Sequence, residues 1–153
     1  MTRIHGVVVI VGLALLAAGC GGYGSKKSEG GTTTIAGSAA QSHGTKDVSG
    51  TTGKVEVEMY DNYFEPTVLT GKPGQKVTIE LKNSGKVAHT FTIAGSVDKE
   101  IQPADEGEVD VTFPQSGETK FVCKFHQSGG MVGALQVPSG SSSTPTSTKT
   151  SKY

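Results

Sequence analysis

From residue 54 to residue 137 the chain alternates apolar and polar positions in short runs. Val55, Val57 and Met59 share one phase, as do Val77, Ile79 and Leu81. The same period recurs in Val87, His89, Phe91 and Ile93, in Val109, Val111 and Phe113, and in Thr119, Phe121 and Cys123. It closes with Met131, Gly133, Leu135 and Val137. A period of two predicts half-buried strands over 54–60, 76–82, 87–93, 108–113, 119–123 and 131–137. The gaps carry turn chemistry: Lys72-Pro73-Gly74, Asn83-Ser84-Gly85, Pro103-Ala104-Asp105 and Gln115-Ser116-Gly117. No helical period and no internal repeat accompanies these runs. Short strands with regularly spaced turns predict an all-β sandwich or barrel.

The flanks differ in kind. Arg3 precedes an apolar run over 7–18 that is too short for a bilayer core, which needs about 20 residues. Its position and length suit a cleaved export signal over 1–19. The run ends Ala17-Ala18-Gly19-Cys20, which resembles the bacterial lipoprotein lipobox, with Ala17 where leucine is usual and Leu16 one place early. That resemblance implies cleavage before Cys20 and acylation of its thiol with diacylglyceryl and palmitate-type chains, a stable membrane anchor. Residues 20–53 then read as a lipidated cysteine followed by a flexible Gly/Ser/Thr linker. Few large apolar side chains are present there to offset the entropy of ordering. Such a coil reaches about 30 Å, and His43 within it reads as solvated linker. The compact domain is expected over 54–138, and 139–153 reads as a disordered Ser/Thr-rich tail.

Composition removes some function classes. The 153 residues include 14 basic and 14 acidic ones, so no basic surplus points to nucleic acid. The acidic run Asp98, Glu100, Asp105, Glu106, Glu108 and Asp110 has two readings: a solvated strand face, the commoner case, or a patch that steers a basic partner. There are two cysteines. If Cys20 carries lipid, Cys123 is a lone thiol in an exported protein and needs protection from oxidation. A bound metal supplies it.

The stretch over 121–133 (Phe-Val-Cys-Lys-Phe-His-Gln-Ser-Gly-Gly-Met-Val-Gly) brings Cys123, His126 and Met131 into one tight loop. His89 falls on the same inward phase as Cys123 and Met131, which raises it above an ordinary core histidine. One thiolate, two imidazoles and a thioether form an unusual zinc set. The same donors match a trigonal copper site with a weak axial thioether. A dinuclear copper centre needs a second loop cysteine, and multicopper enzymes need further histidine clusters; the chain has neither.

The region over 64–137 resembles the cupredoxins, with loop spacing most like plastocyanin. The matching residues are Phe64-Glu65-Pro66, Gly71, Gly74 and Val77, then Asn83 and His89-Thr90-Phe91-Thr92-Ile93, and the loop over 121–133. The resemblance implies a Greek-key β-sandwich and one copper ion per chain. Its strong ligands would be His89, Cys123 and His126, with Met131 axial and Asn83 and Thr90 supporting the ligand loops. It implies His126 as the port for electrons. Thr90 stands where many members have asparagine, and Val122 where plastocyanin has tyrosine. The expected function is single-electron transfer between redox partner proteins outside the cytoplasm, by a monomeric, lipid-anchored, non-enzymatic copper protein. The alternative is extracytoplasmic copper buffering or delivery. A hydrolase with Cys123 as nucleophile and His126 as base would leave His89 and Met131 without a role.

Overall fold

A computed structural model describes residues 30–140. Twelve strands occur among the described residues: β1 (Gly31–Ile35), β2 (Ser38–Ser42), β3 (Thr45–Asp47), β4 (Lys54–Tyr60), β5 (Tyr63–Glu65), β6 (Val68–Thr70), β7 (Lys76–Asn83), β8 (His89–Ile93), β9 (Val97–Ile101), β10 (Glu106–Thr112), β11 (Gly117–Val122) and β12 (Val132–Val137). The only helical element described is one 3-10 turn, Gln127–Gly129. A four-stranded sheet runs β10-β7-β4-β5, a six-stranded sheet runs β3-β6-β12-β11-β8-β9, and β1 and β2 form a separate hairpin. The all-β sandwich expected from the alternation is the observed fold, and each of the six expected strands is present within two residues at either end.

The inward phase was read correctly for most positions. Val55, Val57, Met59, Ile79, Leu81, Phe91, Phe121 and Leu135 are buried and join one core between the sheets. Three phenylalanines fill its centre: Phe91 stacks on Phe121 with centroids 4.5 Å apart, and Phe64 meets Phe121 edge-on at 5.0 Å. Gly133 makes room for that cluster. A Cβ there would lie 2.2 Å from Phe121 Cζ, so only glycine lets β12 pass this close. Val87 is the exception to the phase; it precedes β8, where the chain is still a loop, and is 45% exposed.

The flexible-linker expectation is corrected over 30–53. Thr32-Thr33-Thr34-Ile35 forms a β-branched strand and turns through Ala36 and Gly37, both at positive φ, into β2. Ile35 and Ala40 then pack on Val132 and Ala134 to make a second, smaller core. β12 is thereby covered on both faces, the inner by the sandwich and the outer by the hairpin. β3 pairs in parallel with β6, and Val48 is fully buried in the main core. The domain therefore begins well before residue 54. The expected signal over 1–19, the lipidated Cys20 and most of the tail over 139–153 lie outside the described residues.

Candidate metal centre

The site forms where the ends of three strands meet at one end of the sandwich. β8 opens on His89, β11 ends one residue before Cys123, and β12 begins one residue after Met131. β8 and β11 run antiparallel with Val122 opposite Thr92, which brings His89 and Thr90 alongside Cys123 and Lys124. The donors' strand neighbours secure this placement. Phe91 lies two residues after His89 and Phe121 two before Cys123, so each strand points a phenylalanine and a donor to one face.

His89, Cys123 and Met131 are fully buried, and His126 is partly exposed. His89 Nδ1 lies 3.1 Å from His126 Nδ1, Cys123 Sγ lies 3.4 Å from His126 Nδ1, and Cys123 Sγ lies 3.8 Å from His89 Nδ1. A triangle with these sides has its centre about 2.0 Å from each corner, close to ordinary metal–imidazole and metal–thiolate bond lengths of about 2.0–2.3 Å. The three donors thus fit one metal ion in their plane. Met131 adjoins the plane through the backbone, with Cys123 N–H donating to Met131 O at 3.1 Å.

Two sets of hydrogen bonds hold the ligand loops. Thr90 N–H donates to Cys123 Sγ at 3.4 Å, and Thr90 Oγ1 accepts from Lys124 N at 2.9 Å. The threonine hydroxyl therefore ties the two loops together. Asn83 makes no hydrogen bond to the donors. Its amide donates to Val87 O and Ile101 O, both at 2.9 Å, and accepts from Gly85 N at 2.9 Å, which shapes the loop leading into His89. Within the other loop His126 O accepts from both Gly129 N (2.9 Å) and Met131 N (3.2 Å).

Two contributors were missed by the sequence reading. Gln41 of β2 donates from its backbone N–H to Gly130 O at 3.0 Å and from Nε2 to Gly129 O at 3.2 Å, clamping the ligand loop. The signal was the β-branched run over 32–35 followed by Ala36-Gly37. Asp61, in the two-residue turn between β4 and β5, lies with Oδ1 3.5 Å from His89 Nε2. No sequence pattern linked it to the site. His43 is far from solvated linker: its ring stacks on Tyr63 with centroids 3.5 Å apart, and it takes no part in the donor triangle.

Burial, and then the neighbouring His126, hold the His89 imidazolium pKa below its ordinary value, with Asp61 opposing. The unprotonated imidazole that a metal requires is therefore favoured. The Cys123 thiol, which the hydrolytic alternative would need as an accessible nucleophile, is fully buried.

The cupredoxin-like domain family matches residues 32–137. The chain belongs to the cupredoxin-like family. The match begins inside β1, in agreement with the hairpin being part of the domain. Among solved structures, a chain of a heme-copper terminal oxidase dimer superposes with a TM-score of 0.50 at 21% identity, covering 76% of this chain and 83% of that one. The reduced auracyanin of Roseiflexus castenholzii gives 0.49 at 20% identity over 57% of this chain and 98% of its own. The purple cupredoxin of Nitrosopumilus maritimus gives 0.43 at 19% identity over 55% and 99%. These likenesses concern the fold. No curated protein matches the chain. Members of the family bind one copper, and the His89, Cys123, His126 and Met131 cluster suits a single copper ion.

Proposed function

We propose that this cupredoxin is a mononuclear type 1 copper protein that carries single electrons between redox partner proteins. The observation that carries the reading is the donor triangle itself, buried, converged on one point and adjoined by Met131. A copper ion held there would supply a one-electron Cu(I)/Cu(II) couple. The chain's part is to keep His89, Cys123 and His126 in place in both oxidation states. Thr90 and the Gln41 clamp supply that constraint, and burial of three of the four donors excludes water.

The surface supports the direction of exchange. Phe125 and Val87 are the exposed large hydrophobic residues of the described chain, at 52% and 45%, and both flank ligand loops. Phe125 meets the His126 ring edge-on with centroids 6.3 Å apart. An exposed phenylalanine beside the one partly exposed ligand makes His126 the port at which a partner docks. The acidic residues over 98–110 spread along β9 and β10, and several are already paired: Asp98 with Lys124 at 2.7 Å, and Glu108 with Lys54. They favour a basic partner only as a rim. A lipid anchor at Cys20 would place the domain outside the cytoplasm against a bacterial membrane.

Titrating the purified chain with copper(II) tests the reading. An intense blue absorption and a reversible one-electron wave are expected, and Cys123→Ser removes both. Colourless, tight binding of copper(I) alone would favour copper delivery and sink the carrier. Labelling with radioactive palmitate in a bacterial host, abolished by Cys20→Ala, tests the anchor.

A further inference from the structure

We infer that Asp61 is a positioning residue for His89: it accepts a hydrogen bond from the Nε2–H of that ligand and biases the couple toward the oxidised metal. The inference rests on the copper reading and extends it to a residue outside the ligand loops. His89 is fully buried, and its Nε2 is the buried side-chain nitrogen or oxygen that lacks a hydrogen-bond partner among the described residues. Buried polar atoms of this kind are rare, because each one left unsatisfied costs stability. An imidazole bound through Nδ1 must carry its proton on Nε2, which turns that atom into an obligatory donor.

Asp61 Oδ1 stands 3.5 Å from it, and the surroundings hold the carboxylate there. The turn between β4 and β5 presents Asp61 at its first position, with Asn62 at positive φ. Lys86 N–H donates to the same Oδ1 at 2.9 Å, fixing its position beside Nε2. Gly85 keeps the path open: a Cβ there would lie 2.6 Å from Asp61 Oδ1 and 2.8 Å from His89 Nε2. At 3.5 Å, Asp61 Oδ1 is the carboxylate oxygen placed to accept from Nε2–H. Carboxylate, imidazole and metal then form one line, an arrangement that fixes ring orientation and tautomer and raises ligand basicity.

Two consequences separate this role from simple packing. The negative charge, one ring away from the metal position, favours copper(II) over copper(I). With partial screening its removal is worth roughly a tenfold change in the ratio of the two affinities, which is about 59 mV for a one-electron couple. The accepted hydrogen bond, by contrast, needs only an oxygen. Asp61→Asn keeps an acceptor in the same place and removes the charge, whereas Asp61→Ala removes both.

The experiment compares the wild-type chain with these two variants. Reduction potentials of the copper-loaded proteins should rise by that tenfold equivalent in both. Nitrogen-15 NMR of the metal-free protein should show His89 as the Nε2–H tautomer in the wild type and in Asp61→Asn, and a mixture in Asp61→Ala. Copper should leave Asp61→Ala about 10–100 times more readily. A potential unchanged within twofold equivalence in Asp61→Asn, or a wild-type His89 protonated on Nδ1, would overturn the inference. Because the tautomer is read without metal, a protein that never turns blue would refute the carrier reading and still decide the role of Asp61.

Discussion

Ile35→Ala asks whether the N-terminal hairpin belongs to the copper domain. Ile35 is 2% exposed and packs with Ala40 against Val132 and Ala134. Truncation removes three carbons, worth about 2.4 kcal/mol at about 0.8 per buried carbon. The void left behind brings such changes into the range of about 2–5 kcal/mol when the structure stays closed. The hairpin has a second option, which is to lift away. Its lost energy would then be capped by the strength of its docking, and the main sandwich would keep most of its own stability.

The two outcomes separate in one assay. Denaturant unfolding of the metal-free protein reports the global loss, and hydrogen exchange reports the local one. The Gln41 amide, bonded to Gly130 O, is the reporter of docking. A closed hairpin with a void predicts a global loss near 2–3 kcal/mol with Gln41 still protected. A detached hairpin predicts a smaller global change, an unprotected Gln41, and faster copper release, because the clamp on Gly129 and Gly130 goes with it. A wild-type Gln41 that exchanges freely, together with a global change under about 0.5 kcal/mol, would refute the docked hairpin.

Other outcomes follow from the same contacts. Thr90→Val keeps the shape but removes the acceptor for Lys124 N, and should cost about 1–3 kcal/mol while broadening the copper spectrum; equilibrium unfolding and electron paramagnetic resonance check it. Gly133→Ala drives a Cβ into Phe121 and Thr67 O, and should cost at least about 1–3 kcal/mol by overpacking, measured as a fall in Tm. Saturating copper should stabilise the native state by about 4 kcal/mol at a thousandfold excess over Kd, and Cys123→Ser should abolish most of that gain in a thermal shift experiment.

The sandwich was legible because its core strands face a single interior, which leaves a clean period of two. β4, β7 and β11 show it, with Val57, Ile79 and Phe121 all buried. The donors were legible because their chemistry is rare and because His89, Cys123 and Met131 kept the same phase as that core. The first hairpin was hidden by composition. Thr32, Thr33 and Thr34 are polar by hydropathy yet β-branched, and the hairpin buries only Ile35 and Ala40 against a surface that is itself part of β12. β9 was hidden likewise, since Asp98, Lys99 and Glu100 fill its middle and only Ile101 is buried. Asp61 could not be read at all. Its relation to His89 depends on where a two-residue turn lands in space, and nothing along the chain records that.

The arrangement of the site explains why so little sequence suffices to build it. Cys123, His126 and Met131 are local and their loop closes with three short backbone bonds, so ordering them costs little entropy. His89 lies 34 positions from Cys123 and cannot be brought in so cheaply. The pairing of β8 with β11 and the stacking of Phe91 on Phe121 meet that cost, and they belong to the core rather than to the site. Metal binding therefore need not supply the free energy that brings the donors together. It would instead go into affinity and into the balance between oxidation states, which is where Thr90 N–H, directed at the sulfur, and Asp61, behind His89, act in opposite senses. The hydrogen bond to the thiolate withdraws charge from the metal position and favours copper(I); the carboxylate returns charge through the imidazole and favours copper(II). On the copper reading the potential would then answer to two groups that are not ligands, Thr90 N–H at the sulfur and Asp61 at the far nitrogen of His89.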